Sequence, residues 1–228
     1  MNNAKNNTMG LDFSVSCATS HPTCRKIETQ YKSLLNLLDT VSSNMEKQYL
    51  DDEKSGYEWA EKNAQEKSGG ENILYQNIYG QNCAAVDGHL SDLYDIQNMF
   101  YQSMLSTAYS YYESILTLIV VEKNLGNKQK PFDALKDQVY SNLQSEVKID
   151  FDYLYDTIRL IRNIITHNYN GTPSPDQIRA AQTETERKRG FAMYNQESYI
   201  VEKKYVTLVL DMEYRVLQAI CKNLGYRE

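Results

Sequence analysis

The residues best suited to chemistry are Arg162, Asn163, His167 and Tyr169, which lie within one short segment of the chain. A guanidinium offers a planar fork of N–H donors that matches phosphoryl oxygens, and an imidazole transfers protons near neutral pH. His167 is one of only three histidines. The segment therefore predicts phosphodiester chemistry, with Arg162 at the phosphate and His167 at a moving proton. Asn163 either positions these groups by hydrogen bonds or is an ordinary surface amide.

A helix must position these residues, because the apolar residues before them recur at steps of three and four. This spacing predicts one buried helix face, made of Phe151, Leu154, Ile158, Ile161 and Ile165. Asp150 is a predicted N-cap, and Asn170-Gly171 followed by Pro173 is a predicted stop. His167 would then lie in the last turn, where the unpaired carbonyls favour the imidazolium form.

Arg162 and His167 do not share a face of such a helix. Five residues rotate about 140° beyond a full turn, so the two side chains leave the axis in different directions. Arg159, Asn163 and Thr166 lie between them, with Asp152 and Asp156 earlier, which predicts a continuous polar stripe opposite the core. This stripe is either solvated surface or the seam of a two-fold dimer that combines both groups in one cleft.

The motif of Arg162, Asn163 and His167, followed by Tyr169, resembles the HEPN superfamily of ribonucleases and ribonuclease-derived toxins. The resemblance covers residues 90–224 and implies a helical bundle and metal-independent cleavage of single-stranded RNA by 2′-hydroxyl attack. It implies a homodimer, with a nucleotidyltransferase-type antitoxin or another neighbouring-gene protein as partner, in toxin–antitoxin or phage-defence biology. It also suggests that Glu113 orients Arg162 or His167, and that Tyr169 stacks on a base or is modified. The simpler alternatives are that Glu113 is exposed to solvent and that Tyr169 packs against the end of the helix.

Composition predicts an all-α protein, since 228 residues contain 4 prolines and 10 glycines and show long periodic stretches. Three regions are expected: a flexible segment at 1–22, a helical extension with connector at 23–88, and a HEPN-like domain at 89–228. Within them, helices are predicted from Thr23, from His89, from Pro131 and over 201–224. Residues 71–88 have no firm helical pattern, and 172–198 are a polar stretch.

Charge and apolar runs limit the location and the partners. A net charge of −6 predicts weak non-specific affinity for RNA, so positive charge must be concentrated at the cleft. The apolar runs are shorter than the roughly 18 residues of a membrane span, and the first twenty residues lack a secretory pattern. A cytoplasmic protein without membrane association is therefore expected.

The scattered cysteines favour reduced thiols over a disulfide framework. Cys17, His21 and Cys24 are close in sequence, but a fourth ligand is missing, so neither a metal nor a cofactor is predicted.

Two alternatives to the ribonuclease remain open. In one, the arginine and histidine face of a HEPN-like module binds a nucleotide or a partner protein without cleavage. In the other, the chain is a helical interaction protein, and Arg162 and His167 are incidental surface residues.

Overall fold

The protein is an all-α bundle, as the composition predicts. The computed structural model describes residues 21–127, 129–167, 174–193 and 199–226. The described α-helices are α1 (Pro22–Ser68), α2 (Asn72–Glu122), α3 (Pro131–Val139), α4 (Ser145–Tyr153), α5 (Arg159–His167), α6 (Pro175–Ala181), α7 (Glu184–Arg189) and α8 (Lys203–Asn223). A 3₁₀ turn (Tyr140–Asn142) follows α3, and a π turn (Leu154–Ile158) joins α4 to α5. Two short antiparallel strands, β1 (Phe191–Met193) and β2 (Tyr199–Val201), pair through Ala192 and Ile200.

The long helices α1 and α2 form an antiparallel hairpin. Gly69 and Gly70 turn the chain with φ values of 56° and 94°, which glycine adopts without steric cost. The predicted connector over 71–88 is wrong, because α2 begins at Asn72 and continues through it. The predicted start of the second helix at His89 is wrong for the same reason.

The distal half of this hairpin, residues 43–97, is called the arm. Its buried contacts are few: Ala60, Val86 and Leu90 form a cluster separate from the main core. Small side chains allow the helices to approach closely, since a Cβ added at Gly56 would lie 2.8 Å from Val86 Cγ1. Asn82 Nδ2 donates to the carbonyl of Ala60 at 3.0 Å. A seam of small and polar residues gives little apolar periodicity, and for this reason the sequence pattern did not predict the first part of α2.

The main core lies between the first half of α1, the second half of α2, α8 and residues 145–167, called the motif helix. The predicted apolar face of the motif helix is confirmed for Phe151, Leu154, Ile158 and Ile161, all of which are buried. Ile164 is buried in the last turn, whereas the predicted Ile165 is only half-buried.

Other predicted helix starts have mixed outcomes. The start of α3 at Pro131 is confirmed, and α8 accounts for most of the predicted final helix. Asp150 is not an N-cap, because α4 already begins at Ser145. The buried Asp150 carboxylate instead accepts a hydrogen bond from Arg215 Nε at 2.9 Å and forms an ion pair with Nη2 at 2.9 Å, which ties the motif helix to α8. Asp150 needs this partner, because a buried carboxylate without one is costly.

The polar stretch 172–198 contains α6, α7 and β1 in its described part. Buried Glu186 fastens α7 to the body by accepting hydrogen bonds from the hydroxyls of Tyr153 at 2.5 Å and Tyr205 at 2.6 Å. Arg189 adds an ion pair at 3.2 Å, so the buried carboxylate is fully partnered.

In the part of the chain that the structure describes, no helix combines the length and apolar character that crossing a bilayer requires.

Candidate functional site

The motif helix is not a regular α-helix. The π turn at Leu154–Ile158 closes on a longer hydrogen-bonded loop than an α turn. Before it, Asp152 accepts a hydrogen bond from the hydroxyl of Tyr140 and pairs with Lys136 at 3.4 Å. After it, Arg162 contacts Ser110 on α2. The polar residues of the predicted stripe are half-buried or exposed, and those near its two ends contact different helices.

Arg162 is held by neutral groups. Its Nη2 donates to Ser110 Oγ on α2 at 3.1 Å, and its Nη1 donates to Asn163 Oδ1 at 3.2 Å. Its buried Nε has no hydrogen-bond acceptor among the described residues, and no described carboxylate pairs with the guanidinium. The side chain is therefore oriented without neutralisation of its positive charge by direct contact.

Asn163 and Thr166 have local roles in this arrangement. Asn163 is half-buried, and its side-chain oxygen fixes the arginine rather than standing as a free surface amide. Thr166 Oγ1 donates to the backbone carbonyl of Arg162 at 2.9 Å, a common helix-internal bond of threonine. Its hydroxyl proton is consequently engaged within the helix.

His167 is the last residue of α5, as the sequence predicted for the final turn. Its side chain, together with Tyr169, Asn170, Gly171 and Pro173, lies outside the described residues. The backbone between Arg162 and His167 is regular α-helix, so the two Cα–Cβ bonds diverge by about 140° around the axis. Within one chain, the helix alone does not bring the two groups together.

Arg159 lies one turn before Arg162. Its guanidinium stacks over the Tyr155 ring at 4.4 Å from the ring centre, a cation–π geometry. It makes no hydrogen bond or ion pair with any described residue, and its Nε is buried.

Glu113 lies on α2, three residues after Ser110, and is half-buried. The contact that orients Arg162 from α2 is Ser110, and Glu113 forms no described ion pair with Arg162. An orienting role of Glu113 toward His167 stays a prediction. The charge of Glu113 acts instead on two neighbours, Tyr109 and Glu213.

Glu213 on α8 is the main residue that the sequence reasoning missed. It is 5% exposed, and its Oε1 has no hydrogen-bond partner among the described residues. Burial raises the pKa of this carboxyl well above its ordinary value, and the nearby charge of Glu113 raises it further. Both effects favour the neutral, protonated form of this carboxyl. Its position four residues after Val209 and three before Val216 places it on the buried stripe, a signal that the sequence already contained.

Two buried tyrosines adjoin this acid. The hydroxyls of Tyr109 and Tyr112 have no described hydrogen-bond partner, and burial raises the pKa of both. The nearby acids Glu113 and Glu213 raise the pKa of Tyr109 further, whereas Arg159 and Arg162 lower it. Tyr109 thus lies within electrostatic reach of all four charged or acidic groups, which come from α2, α5 and α8.

The negative charge of the chain is concentrated away from the motif helix. The arm contains eleven acidic and four basic residues, a net charge of −7, whereas the whole chain has −6. The remaining residues together carry +1. Repulsion of a polyanion thus originates mainly in the arm, and the body that contains Arg162 is close to neutral.

Of the three residues considered for zinc, the structure describes His21 and Cys24. Cys24 is fully buried in the main core, His21 Nδ1 accepts the backbone N–H of Thr23 at 3.3 Å, and Cys17 lies outside the described residues. Over 21–127, 129–167, 174–193 and 199–226, no three histidine, cysteine or acidic side chains are grouped to hold a metal ion.

Comparisons with descriptions of known protein families, with curated proteins and with solved structures gave no match. The resemblance to HEPN proteins consequently rests on the motif residues and their placement on the helix.

Proposed function

We propose that this protein is a HEPN-like endoribonuclease that cleaves single-stranded RNA without a metal ion, in a toxin–antitoxin or phage-defence setting. The observation that carries the proposal is that the Arg162 guanidinium is oriented but has no counterion among the described residues. Ser110 and Asn163 orient its guanidinium, and no described carboxylate neutralises it. An oriented, uncompensated guanidinium is what a phosphoryl group with growing negative charge requires.

The proposed reaction is an intramolecular transesterification at phosphorus. The ribose 2′-oxygen loses its proton and bonds to the adjacent phosphorus, while the bond from phosphorus to the 5′-oxygen of the next nucleotide breaks. The leaving oxygen takes up a proton, which gives a 2′,3′-cyclic phosphate and a 5′-hydroxyl. His167 handles the proton at the attacking or the leaving oxygen, and Arg162 stabilises the phosphoryl charge.

A homodimer completes the site in this proposal. Arg162 and His167 diverge by about 140° on one helix, so a two-fold axis near the motif helices would place the arginine of one chain beside the histidine of the other. Asn163 and Thr166 would lie near that axis.

The same divergence favours the second candidate, a HEPN-like module that binds a nucleotide or a nucleotidyltransferase-type partner without cleavage. A monomer that does not bring Arg162 and His167 together retains a phosphate-binding arginine but lacks a paired proton-transfer group. Binding would then survive without turnover.

The test is cleavage of single-stranded RNA in excess chelator by wild type, Arg162→Ala and Arg162→Lys. Loss of a phosphoryl-stabilising contact should lower the rate about 10²–10³-fold in Arg162→Ala. Arg162→Lys should lose much of the activity, because lysine keeps the charge without the planar fork. Arg25→Ala, which removes an exposed arginine of α1, is the matched control and should retain the wild-type rate. Binding of RNA without any cleavage by the wild type would favour the module instead.

A further inference from the structure

Arg159 is a half-buried arginine without a counterion. Half-buried arginines normally have acidic or hydrogen-bonding partners, because the charge loses water on burial. Arg159 has neither among the described residues and is supported only by the Tyr155 ring. A guanidinium in this state is suited to an anionic ligand that the protein itself does not supply.

Arg159 and Arg162 are close enough to act together. They are three residues apart on α5, which puts their Cβ atoms about 5–6 Å from each other on one side of the helix. Both charges act on Tyr109, whose hydroxyl is fully buried and has no described partner. Buried hydroxyls are almost always hydrogen-bonded, so the unpartnered hydroxyl indicates a missing polar neighbour at this place.

The charge of the cluster favours one monoanion. The cluster comprises Tyr109, Glu113, Arg159, Arg162 and Glu213. The two guanidinium groups carry two positive charges and Glu113 carries one negative charge, while burial favours the neutral forms of Glu213 and Tyr109. Each phosphodiester of RNA carries one negative charge, so a single group balances the cluster.

We propose that Arg159 and Arg162 jointly bind one phosphodiester group of the RNA strand, which makes Arg159 the second arginine of the phosphate site. The inference rests on the proposed function for the class of ligand, and it adds a binding residue outside the Arg162–His167 motif. Arg159 approaches the phosphoryl oxygens from the Tyr155 side, and Arg162 approaches from the Ser110 side. Their terminal nitrogens supply the contacts, since the Nε atoms of both are buried.

The experiment measures binding rather than cleavage. A fluorescent 2′-O-methyl oligoribonucleotide has no 2′-hydroxyl nucleophile, so fluorescence anisotropy gives its affinity whether or not the protein is a nuclease. Arg159→Gln should weaken binding about 10- to 100-fold, the usual effect of a lost charge-assisted contact. Lys62→Gln, in the arm, makes the same change in net charge at an exposed position and should leave the affinity within about twofold of wild type.

A double-mutant cycle tests whether one phosphate is shared. If both arginines hold the same group, Arg159→Gln and Arg162→Gln together should weaken binding less than the product of the single effects. A double variant whose loss of affinity equals the product of the two single losses would place the arginines on separate phosphates and overturn the proposal. Arg159→Gln binding like Lys62→Gln would overturn it as well.

A further variant keeps the result interpretable. Arg159→Lys retains the charge and should show an intermediate affinity, which separates loss of the ligand contact from loss of fold, with circular dichroism melting as the check. If the two arginines are coupled in binding but the protein does not cleave RNA, the proposed ribonuclease activity is refuted and the phosphate site is retained. If the protein cleaves RNA but the arginines are not coupled, the shared phosphate site is refuted and the ribonuclease activity is retained.

Discussion

Glu213→Gln should change how stability depends on pH. The unfolded chain titrates this carboxyl near the ordinary value of 4.5, whereas burial and Glu113 hold the folded pKa well above it. Below pH 4.5 both states are protonated, so the group has no effect on the slope. Above that value the unfolded chain releases the proton and the folded protein retains it. The free energy of unfolding therefore falls as pH rises, until the folded pKa is reached. Glutamine is neutral at every pH, so the variant lacks this pH dependence of the free energy of unfolding.

The magnitude follows from proton linkage. One proton retained on folding changes the free energy of unfolding by about 1.4 kcal/mol per pH unit inside that window. Within that window the wild type should therefore lose stability relative to Glu213→Gln as pH rises. The change per pH unit is a sizeable share of the roughly 5–15 kcal/mol by which folded domains are stable.

Urea unfolding at several pH values, followed by circular dichroism, measures the difference. The free-energy curves of wild type and Glu213→Gln should diverge as pH rises above 4.5, with the wild type losing stability relative to the variant. Glu58→Gln removes an exposed carboxylate of the arm and should run parallel to wild type in the same range. Parallel curves for Glu213→Gln would mean that Glu213 is ionised in the folded protein, and the charge count of the arginine cluster would then fail.

Two other predictions concern assembly and the arm. The solution mass by light scattering should be twice the 26.4 kDa of one chain, and Asn163→Glu should weaken both dimerisation and cleavage by placing two like charges near the axis. A fully active monomer would contradict the composite site. Gly56→Ala should lower the stability by about 1–3 kcal/mol, because its Cβ would lie 2.8 Å from Val86 Cγ1. Gly80→Ala in α2 meets no neighbouring atom and should stabilise the helix by up to about 1 kcal/mol; equal effects in thermal melts would show that the arm is not packed as described.

The sequence predicted the elements whose packing is apolar. The motif helix was predicted because Phe151 and Ile158 repeat at helical spacing and are buried. The first part of α2, predicted as a connector, was missed, since helices that meet through glycine and alanine produce no such repeat. Asp150 has the residue type of an N-cap, but its partner Arg215 is 65 residues away, and no local pattern reveals a pairing of that range.

In the candidate site, too, contacts between sequence neighbours could be predicted and long-range contacts could not. Arg162 and Asn163 are adjacent in sequence, so the motif suggests that they interact. Ser110 contacts Arg162 from another helix, 52 residues away, and depends on how α2 packs against α5. The π turn before Arg159 has no residue signature in this segment, so the sequence pattern did not predict it. Glu213 was detectable as an acid on the buried stripe of α8, but its neighbours were not.

We propose that His167 and Arg162 cleave RNA by 2′-hydroxyl attack. This proposal is tested by the mass of the 5′ fragment released from a defined single-stranded RNA in excess chelator, by wild type and by His167→Ala. We expect a fragment ending in a 2′,3′-cyclic phosphate from the wild type and no fragment from His167→Ala, with the helical circular-dichroism signal unchanged. A fragment with a 3′-hydroxyl end, or cleavage that survives in His167→Ala, would contradict it.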